Sequence, residues 1–355
     1  MRYYKNICGL LLIIMLSCSE DQNKQAGTLQ KAITDDFNQR IKLTGLALNI
    51  PSDSIGTVLS MKVIKNYLVV SDLDKDFLFK QIDINTGRIL SKFGKRGEGK
   101  GEYLFPSFVQ FLGNEKKIGL FNKPKLEYLL IDIDDLIEGK EAQSKAGKFS
   151  VDFQQIVKIG ENFVGVGLFE NRYALTDSQA NILGTFLEYP FKEKLEKVNF
   201  RVLAMAYQGE LLAHPKQPMF VFATSNGVCI DICEVTNKNI KTIRQIHLSY
   251  PLFEGTEGQA ISATMLEGSQ IGFLSVSVTE NYIYLLYSGK AIKKKDDSAY
   301  ISNTVLVYDW QGQAKNIFEL DGNASQIAVD ESDSHLFAFF NEEKPYFKAY
   351  TLLDR

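Results

Sequence analysis

The sequence has 355 residues, with 43 acidic and 40 basic side chains and a formal net charge of −3 at pH 7. The length permits one large domain or two smaller ones, because all-β domains often exceed 200 residues. The single lysine run, 293–295, is followed directly by two aspartates. This composition argues against a nucleic-acid partner.

The N-terminus has the layout of a secretory leader. Arg2 and Lys5 precede a nearly unbroken apolar run from Ile7 to Leu16, the charge-then-apolar order of a signal peptide. The run is far shorter than the ~20 apolar residues that span a bilayer as a helix. We therefore expect a cleaved leader rather than a permanent membrane span.

The residues around Cys18 resemble the lipobox of bacterial lipoproteins, in which the cysteine is acylated and becomes the new N-terminus. Ser17 is small, as the pattern requires, whereas Met15 departs from the usual leucine. Two or three acyl chains give durable anchoring. We predict a signal peptide over 1–17, lipidation of Cys18, a flexible tether over 18–28, and attachment to the cell envelope at the outer membrane, on its periplasmic or its outer side. An ordinary signal peptide with an incidental cysteine is the alternative.

Residues 29–355 read as short strands rich in β-branched and aromatic residues, separated by polar turns. The clearest apolar runs recur at intervals of about 50 residues, the spacing of propeller blades. Further strands follow several of them, which makes four strands per repeat. The runs are centred on Val70, Leu120, Val166, Phe222, Leu285 and Ala338.

These repeats predict an all-β fold: a six-bladed β-propeller of four-stranded antiparallel blades. The sixth repeat, ending near Leu353, is one strand short, and the segment from Asp36 to Ile50 can supply the missing outer strand. Closure by an N-terminal strand leaves no long open edge. A β-solenoid or a pair of sandwiches are the alternatives.

A glycine-rich stretch from Phe93 to Pro106 follows the first repeat. It resembles the inter-blade loop of NHL-type propellers, and more closely that of TolB-like six-bladed propeller lipoproteins. Lys100 stands where that family often has proline. The resemblance extends from about Thr28 to the end of the chain. It implies a propeller fold, a lipoprotein setting and no catalytic activity.

Four glycines in this stretch, at 94, 97, 99 and 101, could suggest a phosphate loop. Such a loop opens a helix, whereas strands are predicted on both sides here. We therefore interpret the glycines as residues that allow a sharp crossing between blades.

Signals for catalysis or metal binding are weak. The chain has three histidines, His214, His247 and His335, and no recognisable nucleophile motif accompanies them. Cys229 and Cys233 are four residues apart on one predicted strand, too far to pair with each other, and are interpreted as buried thiols. No cofactor is predicted. A calcium loop at 72–76 stays open, although it lacks the glycine and distant glutamate of the helix-loop-helix site.

Loops between second and third strands share one propeller face with the connections between blades. On the predicted strand order this face collects seven candidate partner-binding residues: Asp74, Arg96, Glu98, Lys123, Arg172, Arg201 and Tyr207.

The sequence therefore favours a membrane-anchored, non-catalytic binding or scaffold lipoprotein that holds a protein, a peptide or a glycan. A propeller enzyme that cleaves a glycan or hydrolyses a lactone, with paired carboxylates or calcium at the channel mouth, is the alternative. A purely structural envelope protein with a filled channel is a third reading.

Overall fold

A computed structural model describes residues 31–352, except 74, 100–101, 105, 114–115, 139, 141–142, 152 and 259. The predicted leader, Cys18 and the tether over 18–28 lie outside the described residues. Within the described part, no helix is long and apolar enough to cross a membrane.

The described chain forms six antiparallel sheets of the propeller type, which confirms the predicted fold. Two N-terminal strands precede them: β1 (Gln39–Leu43) and β2 (Leu46–Ala47). Blade 1 contains β3 (Val58–Ile64), β4 (Tyr67–Asp72), β5 (Phe77–Asp83) and β6 (Ile89–Lys95). Blade 2 contains β7 (Pro106–Leu112), β8 (Lys117–Asn122), β9 (Glu127–Asp132) and β10 (Gln143–Lys148). Blade 3 contains β11 (Phe153–Ile159), β12 (Asn162–Gly167), β13 (Tyr173–Thr176) and β14 (Ile182–Phe186).

The second half of the chain continues the same order. Blade 4 contains β15 (Gly209–Ala213), β16 (Met219–Thr224), β17 (Val228–Thr236) and β18 (Asn239–Ser249). A separate hairpin follows, formed by β19 (Phe253–Thr256) and β20 (Ser262–Met265). Blade 5 contains β21 (Phe273–Val278), β22 (Tyr282–Tyr287), β23 (Ser302–Asp309) and β24 (Ala314–Ala324). Blade 6 contains β25 (Gln326–Val329), β26 (His335–Phe340) and β27 (Tyr346–Thr351). Two short helices lie between strands: α1 (Ile133–Ile137) and α2 (Phe200–Ala206).

The N-terminal strands close the ring, as the sequence predicted. β2 pairs antiparallel with β27, placing Leu46 opposite Ala349, and becomes the fourth strand of blade 6. β1 pairs in parallel with β24 and extends blade 5 to five strands. The first strand of every blade contacts the first strands of both neighbouring blades, so these six strands surround one axis.

Six apolar clusters fill the spaces between consecutive blades and form a closed series around the ring. Second strands are therefore buried on both faces. In β4, for example, Leu68 and Val70 face blade 6, whereas Val69 faces blade 2. This double burial explains why the runs noticed in the sequence are continuously apolar rather than alternating. Cys229 and Cys233 are buried free thiols in β17, as predicted.

The first strand of each blade has one edge that faces the axis, where its backbone groups lack a neighbouring strand. Side chains of the preceding blade bind these groups at several junctions, and we call them the edge clamps. Gln110 donates to Lys158 O (2.7 Å) and accepts from Lys158 N (2.8 Å). Gln155 donates to Gly209 O (2.6 Å) and accepts from Leu211 N (3.0 Å).

A shorter side chain makes the clamp between blades 5 and 6. Ser275 Oγ donates to Ile327 O (3.3 Å) and accepts from Ile327 N (3.2 Å), and Ser277 Oγ accepts from Val329 N (3.0 Å). A buried backbone group without a partner is costly. The edge clamps therefore let the first strands face the axis without a further strand.

The glycine-rich loop is a crossing between blades 1 and 2, as interpreted from the sequence. Glu102 holds it together by accepting from Gly99 N (3.0 Å) and by an ion pair with Lys95 (2.7 Å). Gly97 has φ +153°, and a Cβ there would overlap the Glu102 carboxylate. Tyr103 is buried in the core between the two blades. The Glu-aromatic pair thus fixes the loop from both sides.

If the edge clamps stabilise the ring, replacing a clamp glutamine should destabilise the protein more than replacing an exposed glutamine. We expect Gln155→Leu to lower the free energy of unfolding by about 2 kcal/mol, because Gly209 O and Leu211 N lose their partner. The control is Gln179→Leu in an exposed turn of the same blade, with an expected effect below about 0.5 kcal/mol. Urea unfolding of both variants measures the difference. Equal effects would contradict a role for Gln155 at the axis.

Candidate functional site

A cavity of about 260 Å³ opens at one end of the axis. Its rim is formed by turns between the first and second strands of the blades, and we call this end the lower face. Five of the six blades contribute to its lining, all except blade 3. Seven of the fifteen lining residues have apolar side chains: Val63, Phe111, Leu212, Ala213, Pro215, Val278 and Val329. A second cavity of about 210 Å³ adjoins it over blade 3 and shares Gln110, Pro215 and Lys216.

The junction of blades 4 and 5 uses no glutamine: Lys62 and Glu210 contact the same residue, Val276, beside this cavity. Glu210 Oε2 accepts from Val276 N (3.0 Å), and Lys62 Nζ donates to Val276 O (3.5 Å). Burial raises the pKa of Glu210 to about 7, although the charge of Lys62 acts in the opposite direction. Burial lowers the pKa of Lys62 to about 8, although Glu210 opposes this shift. The two side chains together do what a single glutamine does elsewhere.

Two carboxylates, Glu280 and Glu331, lie at the rim of the cavity. Lys216 forms an ion pair with Glu280 at 2.5 Å. Partial burial and the charge of Glu280 raise the pKa of Glu331. After this pairing, Lys62 and Glu331 are the lining charges left to act on a ligand.

A second cluster of charged groups lies inside the protein between blades 3 and 4, and we call it the Asp231 cluster. Arg172 Nη1 lies 2.9 Å from Asp231 Oδ2, with both side chains almost fully buried. Tyr173 donates to the same oxygen (2.5 Å), and His247 Nε2 lies 2.7 Å from Oδ1. The guanidinium packs over the rings of Phe222 (4.9 Å), Tyr173 and Tyr207 (5.7 Å each), an arrangement that stabilises a cation.

The three histidines all have structural contacts. His214 Nδ1 accepts from Lys216 N and Gln217 N (2.9 Å each), which fixes the turn after β15, and burial lowers its pKa. His247 belongs to the Asp231 cluster, and His335 Nδ1 lies 3.0 Å from Asp330. Among the described residues there is no group of three or more His, Cys, Asp or Glu arranged to hold a metal ion.

The candidate calcium loop contains a buried ion pair. Asp72 Oδ2 lies 2.6 Å from Lys80 Nζ and also accepts from Gly56 N (3.1 Å). Asp74 lies outside the described residues. Asp72 therefore already has a cation as its partner, supplied by β5.

Comparison with known families matches residues 38–332 to the model described as TolB-like 6-blade propeller-like. This chain belongs to the TolB-like six-bladed propeller family. The resemblance noted in the sequence is thereby confirmed.

Solved structures share the fold with this TolB-like propeller at low identity. A "putative exported protein" from Bacteroides fragilis is 13% identical with a TM-score of 0.53, and the alignment covers 89% of this chain and 99% of that one. Raptor from Chaetomium thermophilum is 11% identical with a TM-score of 0.49, covering 88% and 29%. The Pan2 WD40 domain from Neurospora crassa is 9% identical with a TM-score of 0.46, covering 88% and 95%. A search of curated proteins finds no match.

Of the seven residues predicted for the opposite, upper face of this TolB-like propeller, the six other than Asp74 lie in the described part, and their environments differ. Glu98 and Arg201 are exposed, and Arg96 and Lys123 are half-buried. Arg172 and Tyr207 are buried, each 2% exposed, and contact each other through the cation–ring packing.

Two insertions account for the burial of Arg172 and Tyr207. Residues 187–208, which include α2, and the hairpin of β19 and β20 pack against each other on the upper face. Tyr207 donates to Pro190 O (2.6 Å) within the first insertion. These contacts place both side chains beneath the surface, where Arg172 joins blades rather than facing a partner.

The axial residues were not among the predicted candidates, because the candidates were chosen from predicted loops and the axial residues lie in strands. Lys62, Gln110 and Glu210 each interrupt an otherwise apolar first strand, in the runs 61–64, 108–112 and 209–213. A lone polar residue within an apolar run of the innermost strand, in blades 1, 2 and 4, was the available signal.

The Asp231 cluster predicts a large loss of stability when its carboxylate is removed. Burial alone would raise the pKa of Asp231, but the charges of Arg172 and His247 and the Tyr173 hydroxyl lower it to about 2. We expect Asp231→Asn to cost about 3–5 kcal/mol at pH 7, because Arg172 stays buried without its counter-ion.

The measurement is urea unfolding between pH 7 and pH 3. A carboxyl group whose pKa is lower in the folded than in the unfolded state stabilises the folded state at pH values above its unfolded pKa, ~3.9. The difference in free energy of unfolding between wild type and variant should therefore narrow as the pH falls below 4 towards 2. Glu188→Gln, in an exposed pair with Lys192, is the control with an expected effect below about 0.5 kcal/mol. A small change in the free energy of unfolding of Asp231→Asn at pH 7 would contradict the role of Asp231 as the counter-ion of Arg172.

Proposed function

We propose that this TolB-like propeller is a lipid-anchored, non-catalytic binding protein of the bacterial cell envelope, and that the axial cavity holds its ligand. The observation that carries the proposal is the 260 Å³ cavity, lined by five blades around one axis. Its size lies just below the ~300–1,000 Å³ of typical small-molecule sites. A cavity built jointly by the blades argues against the reading of a filled, purely structural channel.

The rigidity of the walls supports binding rather than catalysis. Gln110 and Glu210 hold neighbouring first strands through hydrogen bonds to their backbone. Side chains fixed in this way preorganise a site and lower the entropic cost of binding. An enzyme that cleaves glycans would need both rim carboxylates for acid–base chemistry, whereas Glu280 is committed to an ion pair. We therefore favour binding over the hydrolytic alternative.

The upper face is a second proposed contact surface, for a protein, peptide or glycan partner. The exposed and half-buried members of the predicted set, Arg96, Glu98, Lys123 and Arg201, are its candidates. Arg172 and Tyr207 no longer belong to it, because both are buried.

The ligand proposal predicts that a molecule travels with the purified protein. We expect extraction of protein isolated from its native membranes to release a small molecule, identified by mass spectrometry. Val278→Phe places a ring at the cavity wall and should abolish its recovery. Leu90→Phe places the same ring at an exposed site on β6 and should leave recovery unchanged.

The same extraction has a clear negative result. If wild type, Val278→Phe and Leu90→Phe release the same molecules in the same amounts, the axial cavity is not the site. A molecule that the wild-type protein chemically converts during incubation would favour the hydrolytic alternative.

The anchor is proposed from the leader and the lipobox resemblance, and the Bacteroides fragilis propeller described as exported agrees with it. We expect Cys18→Ser to abolish incorporation of a labelled fatty acid and to move the protein from the membrane pellet to the soluble fraction. Cys8→Ser, inside the predicted signal peptide, is the matched control and should behave like the wild type. Label retained by Cys18→Ser would rule out this attachment site.

A further inference from the structure

The junction between blades 4 and 5 differs from the other clamped junctions in a way that its structural role does not require. Gln110 and Gln155 each bind a backbone carbonyl and a backbone N–H of the next blade with one neutral amide. An ionised Glu210 can only accept, so Val276 O is left to Lys62, which reaches it from blade 1. A glutamine at 210 would satisfy both groups of Val276 and make the lysine unnecessary for the wall.

The charged form of Lys62 is also destabilised at this position. Burial of an ammonium group disfavours its charged form, and the pKa of Lys62 falls to about 8 as a result. Residues that break a local rule without a structural gain are typical of functional sites. Lys62 lines the axial cavity, so its position suits a ligand.

The hydrogen bonding of Lys62 leaves capacity for such a ligand. Its contact with Val276 O is 3.5 Å long, at the outer limit for a hydrogen bond. An ammonium group has three N–H donors. A ligand oxygen in the cavity can therefore be bound at a shorter distance without breaking the wall.

We infer that the axial cavity binds a small organic monocarboxylate, with Lys62 as the residue that binds its carboxylate and the apolar walls holding its hydrocarbon part. This inference rests on the proposed function. A single negative charge fits because Lys62 supplies one positive charge, whereas Glu331 at the rim would repel a second negative charge. A dianion such as inorganic phosphate would meet too little positive charge. Val63, Phe111, Val278 and Val329 would contact the apolar body.

The test measures binding of matched acids and amides to the full-length protein by calorimetry at pH 7. The probes are benzoate with benzamide, hexanoate with hexanamide, and inorganic phosphate. We expect each acid to bind at least about ten-fold more tightly than its amide, since a hydrogen bond to a charged group is stronger than a neutral one. Phosphate should bind more weakly than either acid.

Two variants test whether the charge of Lys62 causes the preference for acids. Lys62→Met removes the charge and the polar group, and Lys62→Gln, used if the first variant is unstable, removes the charge but keeps a neutral N–H donor at this position. Both should lose the preference for acids and retain the affinity for amides. Lys192→Met, in an exposed ion pair with Glu188 and outside the cavity lining, should change acid affinity less than about three-fold.

The other outcomes separate this inference from the function on which it rests. Acids and amides that bind equally to the wild type, and no longer bind to Val278→Phe, would overturn the role of Lys62 while leaving the cavity as a ligand site. Acid affinity unchanged in Lys62→Gln would also overturn it. If no probe binds, the monocarboxylate inference fails, and the extraction experiment alone decides whether the cavity holds a ligand.

Discussion

The propeller depends on how the innermost strand of each blade satisfies the backbone groups along its axial edge. An exposed strand edge ordinarily requires another strand or a covering element. Here a single side chain from the preceding blade supplies an acceptor and a donor at the required spacing, as Gln155 does for Gly209 and Leu211. Because the clamp leaves the axis itself open, the same interactions that stabilise the ring also build the walls of the cavity. Stability and ligand binding therefore share residues at this position.

Buried charge is used differently at two places in this molecule. The Asp231 cluster gathers one cation, one carboxylate and aromatic rings in the interior, and its partners hold the Asp231 carboxyl ionised. Lys62 and Glu210 are half-buried at a cavity, and burial shifts both of their pKa values towards neutrality. The Asp231 cluster joins two blades, whereas Lys62 and Glu210 place two groups that titrate near neutral pH beside the axial cavity.

Much of the fold could be predicted from the sequence because second strands are buried on both faces. Runs such as 67–70 and 282–286 stay apolar without alternation, and their spacing reveals the number of blades. Closure could be predicted from the missing strand after Tyr350. The burial of Arg172 and Tyr207 could not, since it depends on two insertions that pack together over them. The axial site was equally hidden, because residues 62 and 210 meet only when blades 1, 4 and 5 surround one axis.

The closing strands also set an order of events in folding. Gln39 pairs with Asn316, and Leu46 pairs with Ala349, so these contacts span nearly the whole chain. Contacts so distant in sequence form slowly, because a long loop must first be closed. Until β27 is available for pairing, β2 lacks its partner in blade 6. The ring can therefore be sealed only when β27 is in place, which makes its final step an encounter between strands from the first and last parts of the propeller.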